Sequence, residues 1–168
     1  MPQSKVQGAE IDDVDAVTDA VLTASRLLVA VSARSIAAVD DSITLPQFRL
    51  LVVLHARGQQ KIAGIAENLG VNPSTATRAV DRLLTAGLVD RQTNPNSRRE
   101  MQISLTPAGR RLVRNVARRR RQEIARIVEN MPATHRRGLV RALTAFSQAG
   151  GEPPASASPY DADDTDWA

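Results

Sequence analysis

The chain has no cysteine, and only four of its 168 residues are aromatic. The missing thiols exclude disulfides, thiolate metal ligands, a cysteine nucleophile and thiol-based redox sensing, and they fit a cytoplasmic protein. Two of the aromatics, Tyr160 and Trp167, lie in the last nine residues, which leaves Phe48 and Phe146 to serve a core. An exposed aromatic platform of the kind that stacks unpaired bases cannot be built from so few rings, so recognition of single strands or RNA loops is set aside. Apolar runs are short, such as Leu27 to Val31 and Leu50 to Leu54, and no basic segment leads into an apolar one at the N-terminus. Neither an export signal nor a membrane span is expected. The two histidines, His55 and His135, are isolated from any further ligand set, and no phosphate loop, nucleophile elbow or metalloprotease helix occurs. No catalytic residue, metal site or cofactor is expected.

What is abundant is positive charge, and it is segregated. Residues 1–41 hold 3 basic and 7 acidic side chains, and residues 150–168 hold 5 acidic and no basic ones. The 108 residues between them carry 19 basic against 6 acidic groups. Positive charge concentrated in one stretch is the footprint of a phosphate-binding surface, whereas a merely solvated surface alternates in sign.

Periodicity divides the chain into a mainly α-helical domain with one small β-hairpin. Residues 1–10 have no pattern and are expected to be disordered. Over 12–40, Val14, Val17, Val21, Ala24, Leu28, Val31 and Ser35 recur at steps of three and four, predicting a long helix whose acidic first turns suit the helix dipole. Thr44 caps a second helix with Pro46 in its first turn, running to about His55. A short helix over about Ala63 to Leu69 ends at Gly70, and another starts at Pro73 behind Asn72 and runs to Ala86. Two short helices joined by a tight glycine-containing turn form a helix-turn-helix. A strand at Leu88 to Arg91, turn-rich residues 92–97 and the alternating Met101 to Leu105 predict a hairpin, or wing. Thr106-Pro107 opens a long helix to about Asn130, a last helix spans about Thr134 to Gln148, and residues 150–168 read as an acidic disordered tail. Residues 11–149 thus form one domain.

At about 100° per residue, the helix from Pro73 gathers Ala76, Val80, Leu83 and Leu84 on one side. Ser74, Arg78, Asp81, Arg82 and Thr85 gather on the other, with Thr75 at the margin. Alone this could be any amphipathic surface helix. Placed second in a helix-turn-helix and followed by a hairpin, it has the form of a recognition helix, with hydroxyls for phosphates or base edges and guanidinium forks for guanine. Arg98 and Arg99 at the hairpin tip suit a narrow minor groove or the flanking phosphates.

The run Ile65-Ala66-Glu67-Asn68-Leu69-Gly70-Val71-Asn72-Pro73-Ser74-Thr75, continuing through Ala86-Gly87-Leu88-Val89-Asp90-Arg91, Asn94-Pro95-Asn96-Ser97-Arg98-Arg99 and Leu105-Thr106-Pro107-Ala108-Gly109, resembles the MarR family of bacterial transcription regulators. The resemblance implies a homodimer whose dimerisation helices come from residues 12–40 and 107–148 and whose DNA-binding lobe is residues 44–106. It also implies a roughly palindromic double-stranded DNA site, commonly under a repressor relieved by a ligand. Carried onto this chain, it assigns Ser74, Thr75, Thr77, Arg78 and Arg82 to the major groove and its phosphates, and Arg98 and Arg99 to the minor groove. It places a small apolar or phenolic effector where the dimer helices meet the lobe, near Leu28, Phe48, Leu51 and His55. Two positions depart from the family's pattern. Ser97 stands where an Asp usually braces the wing arginine, and Lys61 replaces the usual Thr or Ser cap of the helix before Gly70. A winged-helix adaptor that docks a protein is the competing function, and the arginines on both helix and wing argue against it.

The stripe from Val14 to Val31, with Leu112, Val116, Ile124, Ile127, Leu139 and Leu143, exceeds what one small lobe covers and is expected to meet a second copy. Arg110, Arg114, Arg118 and Arg121 share a face of the long helix that either stays solvated, adds positive field or docks the acidic tail. Without thiols, peroxide at doses that spare methionine should leave duplex affinity unchanged in a binding titration. A loss of affinity under those conditions would contradict the exclusion of oxidative control.

Overall fold

The computed structural model describes residues 13–94 and 97–151, and for residues 94 and 97–100 the backbone alone. The expected loose residues 1–10 lie outside the described residues, as does the acidic tail apart from Gly150 and Gly151 at the end of the last helix. Among the described residues, six helices and one hairpin follow in the order α1 (Val14–Ala37), α2 (Leu45–Arg57), α3 (Ile62–Leu69), α4 (Pro73–Thr85), β1 (Val89–Asn94), β2 (Ser97–Leu105), α5 (Pro107–Glu129) and α6 (Ala133–Ala149).

Most helix starts follow from a capping side chain that satisfies an otherwise orphaned backbone N–H. The Asp13 carboxylate accepts from the Asp15 N–H, and the Asn72 side chain from that of Thr75. Thr44 and Gln47 form a reciprocal capping box at α2, the side-chain Oε1 of Gln47 accepting from the Thr44 N–H at 2.8 Å. Lys61 supplies no side-chain cap to α3, as its chemistry predicts. Gly70 closes α3 in the left-handed region at φ 67°, and the Gly70 and Val71 N–H groups return to the carbonyls of Glu67 and Ala66. That turn sets α4 against α3.

The core lies between α2, α3, α4, the hairpin base and the first half of α5. Leu50, Leu51, Ile65, Leu83, Ile103 and Val113 are fully buried there. Each such side chain contributes about 1.5–3 kcal/mol through loss of apolar contact with water. The hairpin is longer than the sequence predicts. Pairing runs from Val89↔Leu105 to Thr93↔Met101 and resumes at Asn94↔Ser97, so residues 98–100 have no partners in β1. Residues 92–97 read as turn because they are polar, but a projecting hairpin is held by backbone pairing and needs no buried side chains. A third segment joins the sheet as well. Gln60, between α2 and α3, exchanges both backbone hydrogen bonds with Ile103, at 3.0 and 2.8 Å.

Several expectations about the apolar surface are corrected. Leu112 and Val116 belong to the lobe's own core, while Leu143 is exposed and Ile124, Ile127 and Leu139 are half-buried. Phe146 is 56% exposed and adds nothing to that core, because α6 buries no residue in the protomer. On α1, Val31, Ser35 and Ile36 are buried, but Val14, Val17, Leu22, Leu27, Leu28 and Val29 face outward. By length and composition α1 is apolar enough to cross a membrane, against the expectation drawn from its short apolar runs. Its last turns are nevertheless part of the fold, through those three buried residues and an ion pair from Arg34 to Glu123 of α5.

The β2–α5 corner ties these parts together. The Thr106 hydroxyl donates to the Gly87 carbonyl at 2.8 Å and accepts from the Gly109 N–H at 3.0 Å, while the Thr106 N–H donates to the Leu88 carbonyl at 3.1 Å. Gly109 is buried under the Leu88 carbonyl, and a Cβ there would stand 2.1 Å from that oxygen. Gly109→Ala should therefore cost at least about 3 kcal/mol, read as a lowered urea midpoint. Gly138→Ala on α6, where a Cβ meets nothing within 4 Å, should be neutral or gain up to about 1 kcal/mol. Equal midpoints for the two variants would contradict this account of the corner.

Candidate nucleic-acid interface

Helix α4 has two chemically distinct sides. Ala76, Val80 and Leu83 are fully buried, which turns Ser74, Thr75, Arg78, Asp81 and Arg82 outward. Thr77 sits half-buried at the boundary on the Leu84 side, and its hydroxyl donates to the Pro73 carbonyl at 2.8 Å. The Ser74 hydroxyl donates to Asn72 Oδ1 at 2.8 Å, so the side chain that caps α4 also orients the first hydroxyl of its exposed face. While their protons are engaged in this way, Ser74 and Thr77 present acceptor lone pairs outward and suit a donor such as a base amino group. Arg78 bends back so that Nε approaches the Ser74 carbonyl at 3.4 Å, leaving the fork of the guanidinium outward. Arg82 has no hydrogen-bonded or ionic partner among the described residues.

One feature of this face escaped the sequence reading. Asp81, a carboxylate among arginines, is held by Arg91 of β1 at 3.1 Å, with both side chains substantially exposed. Arg91 pairs with Ile103 and shares a face with Val89, so it stands on the face of the hairpin that packs against α4 and can reach Asp81. The signal was available as a lone acid on a basic helix face followed by an arginine in the next strand. The pair balances a negative charge that would otherwise repel phosphate, and it joins hairpin to helix.

Arg98 and Arg99 fall in the three-residue stretch of β2, residues 98–100, that has no partner in β1. Their side chains, and that of Ser97, lie outside the described residues. At its base the hairpin has a second surface. Asp90, Gln92 and Ser104 share the face opposite Arg91 and, with Leu54, His55 and Arg110, line an open groove of about 460 Å³.

The four residues expected around an effector lie on α1 and α2. Phe48 and Leu51 are buried in the core, Leu28 is on the exposed side of α1, and only His55 borders the groove. Helical periodicity shows that each is on an inward or apolar face, but not which element covers it. Along α5, Arg110, Arg111, Arg114, Arg118 and Arg121 are all exposed.

The model of the MarR family matches residues 43–101. A crystal structure of RV1404 from Mycobacterium tuberculosis is 59% identical, covers 86% of this chain and is itself covered to 98%, with a TM-score of 0.79. Among curated proteins, the uncharacterised HTH-type transcriptional regulator YfiV of Bacillus subtilis is 26% identical over 64% of this chain and 67% of its own length. The HTH-type transcriptional repressor MdtR of Bacillus subtilis is 36% identical over 41% of this chain and 44% of its own length. The alignments span from under half to about seven tenths of the curated relatives.

The Asp81–Arg91 pair makes a distinct prediction. As an exposed ion pair it adds less than about 1 kcal/mol to folding, so Arg91→Ala should barely move the unfolding midpoint. It should weaken duplex binding about three- to tenfold by uncovering the Asp81 carboxylate, and Asp81→Asn in the same chain should restore most of that loss. A double variant as weak as Arg91→Ala alone would assign Arg91 a direct phosphate contact instead.

Proposed function

Because this chain belongs to the MarR family, we propose that it is a homodimeric transcription regulator that binds a roughly palindromic duplex site and acts in the cytoplasm as a repressor. The observation that carries this reading is the construction of α4. Ser74, Thr75, Arg78 and Arg82 are exposed over a helix anchored by Ala76, Val80 and Leu83, and a hairpin bearing Arg98 and Arg99 projects beside it. In this reading α4 enters the major groove, where the arginines read guanine or grip phosphate, and Thr77 contributes from the edge. The wing arginines lie along the adjacent minor groove or its phosphates.

The homodimer follows from the uncovered apolar surface. A 17-residue helix such as α6 is marginal in water unless an apolar face is packed, yet α6 buries nothing and exposes Val140, Leu143 and Phe146. The outward face of α1 has the same need. A second copy laying its own α1 and α6 against these faces satisfies both and supplies the second α4 that a palindrome requires. Repression is supported by the name of the MdtR relative. Relief by a small apolar or phenolic effector remains part of the proposal. The groove beside His55 and Arg110, which pairs an apolar wall with cationic and polar groups, is the place for it on this protomer.

Selection from a random duplex pool tests the function. Recovery of a palindrome with half-sites about one helical turn apart is expected. Arg78→Ala should then cost about 1–3 kcal/mol and relax preference at one base pair, whereas Arg99→Ala should weaken binding with less change in preference. No enriched sequence would remove DNA recognition and favour a protein-docking adaptor.

A further inference from the structure

The proposed regulator leaves the arginine face of α5 without a task. We propose that this face is the docking surface for the chain's own acidic segment, residues 152–168, which covers it in an electrostatic, salt-sensitive contact. At 100° per residue Arg110, Arg111, Arg114, Arg118 and Arg121 fall within one arc of about 100°, opposite the buried Leu112, Val113 and Val116. All five are exposed, and none has a carboxylate partner among the described residues. Their polar neighbours are neutral where they exist. Arg110 donates to the Leu105 carbonyl and Arg118 to Asn115 Oδ1, while Glu123 is turned to Arg34. Five like charges along one helix face repel one another and attract a polyanion.

The occupant is argued from charge and reach. Residues 152–168 contain Glu152, Asp161, Asp163, Asp164 and Asp166 and no basic group. The other acidic stretch, at the start of α1, is fixed in a helix whose first carboxylate, Asp13, already serves as the cap. From Gly151, Asp161 can lie up to about 34 Å away and Asp166 up to about 50 Å, at about 3.4 Å per extended residue. The way back to Arg121 is at most about 25 Å of α6, the short connection and about 12 Å of α5, a limit beyond the reach of Asp161 and within that of Asp166. The run from Asp161 to Asp166 can span about 17 Å, close to the rise of about 16 Å from Arg110 to Arg121. Tethering keeps the acids near the arginines at about millimolar effective concentration, an advantage that a free polyanion lacks.

The sole tryptophan, Trp167, lies one residue past Asp166 and reports the contact without a label or DNA. Time-resolved fluorescence anisotropy of the intact chain should show a slow component at about 20 mM salt that disappears by about 0.5 M, where charges are screened beyond a few ångströms. The exposed triple variant Arg114→Gln, Arg118→Gln, Arg121→Gln should lose that component at low salt with an unchanged circular dichroism melt. A second variant, with asparagine at positions 161, 163, 164 and 166, should lose it with every arginine in place. A slow component that survives either variant, or its absence from the intact chain at low salt, overturns the proposal. If Trp167 is free while the arginine variant loses binding to non-specific duplex, the face belongs to phosphate. The measurement involves no recognition by α4, so its failure leaves the proposed regulator standing, and failure to select a duplex leaves this contact standing.

Discussion

The hydrogen bonds of Thr106 hold the parts of this protein in register. One hydroxyl accepts from the start of α5 and donates to the turn after α4, while the same residue's N–H reaches the Leu88 carbonyl. The end of α4, the base of the hairpin and the long helix α5 are therefore fixed to one point. Gly109 has no side chain because the Leu88 carbonyl occupies the space that a Cβ would need. The sequence Leu-Thr-Pro-Ala-Gly has a physical reading in these contacts. Leucine fills the core, threonine bridges, proline starts the helix, and glycine allows the close approach.

Local patterns in the sequence were legible because they are set by neighbours a few residues apart. The caps at Thr44, Asn72 and Thr106, the left-handed Gly70 and the two sides of α4 follow from side-chain chemistry and a period of 3.6. What was not legible depends on separations that periodicity does not encode. Gln60 meets Ile103 across 43 residues, and Asp81 finds Arg91 because β1 packs on α4. Apolar spacing put Leu112 and Leu143 in one class, yet the first fills the lobe's core and the second faces outward.

Charge is distributed as deliberately as apolar surface. The basic middle of the chain carries its arginines on separate faces, α4 and the first half of α5, with Asp81 and Glu123 each committed to a single arginine. Each acid so engaged leaves the remaining guanidinium groups uncompensated. The low net charge of +4 therefore conceals a strong internal asymmetry, with acidic residues displaced toward the two ends of the sequence. Long-range attraction of a phosphate backbone depends on that asymmetry and not on the net value.

Helix α5 has a mechanical consequence. Its first turns lie inside the lobe, where Leu112, Val113 and Val116 are buried, and it continues unbroken to Glu129, about 34 Å in all. Gln60 ties the hairpin base to the connection before α3 through two backbone hydrogen bonds, and Leu88, Val89 and Ile103 are buried in the core, so the lobe is one packed body on this shaft. A shaft with no proline or glycine past Gly109 has no built-in joint. A rotation imposed at its far end would therefore be carried to the lobe that holds α4 and not absorbed along the way.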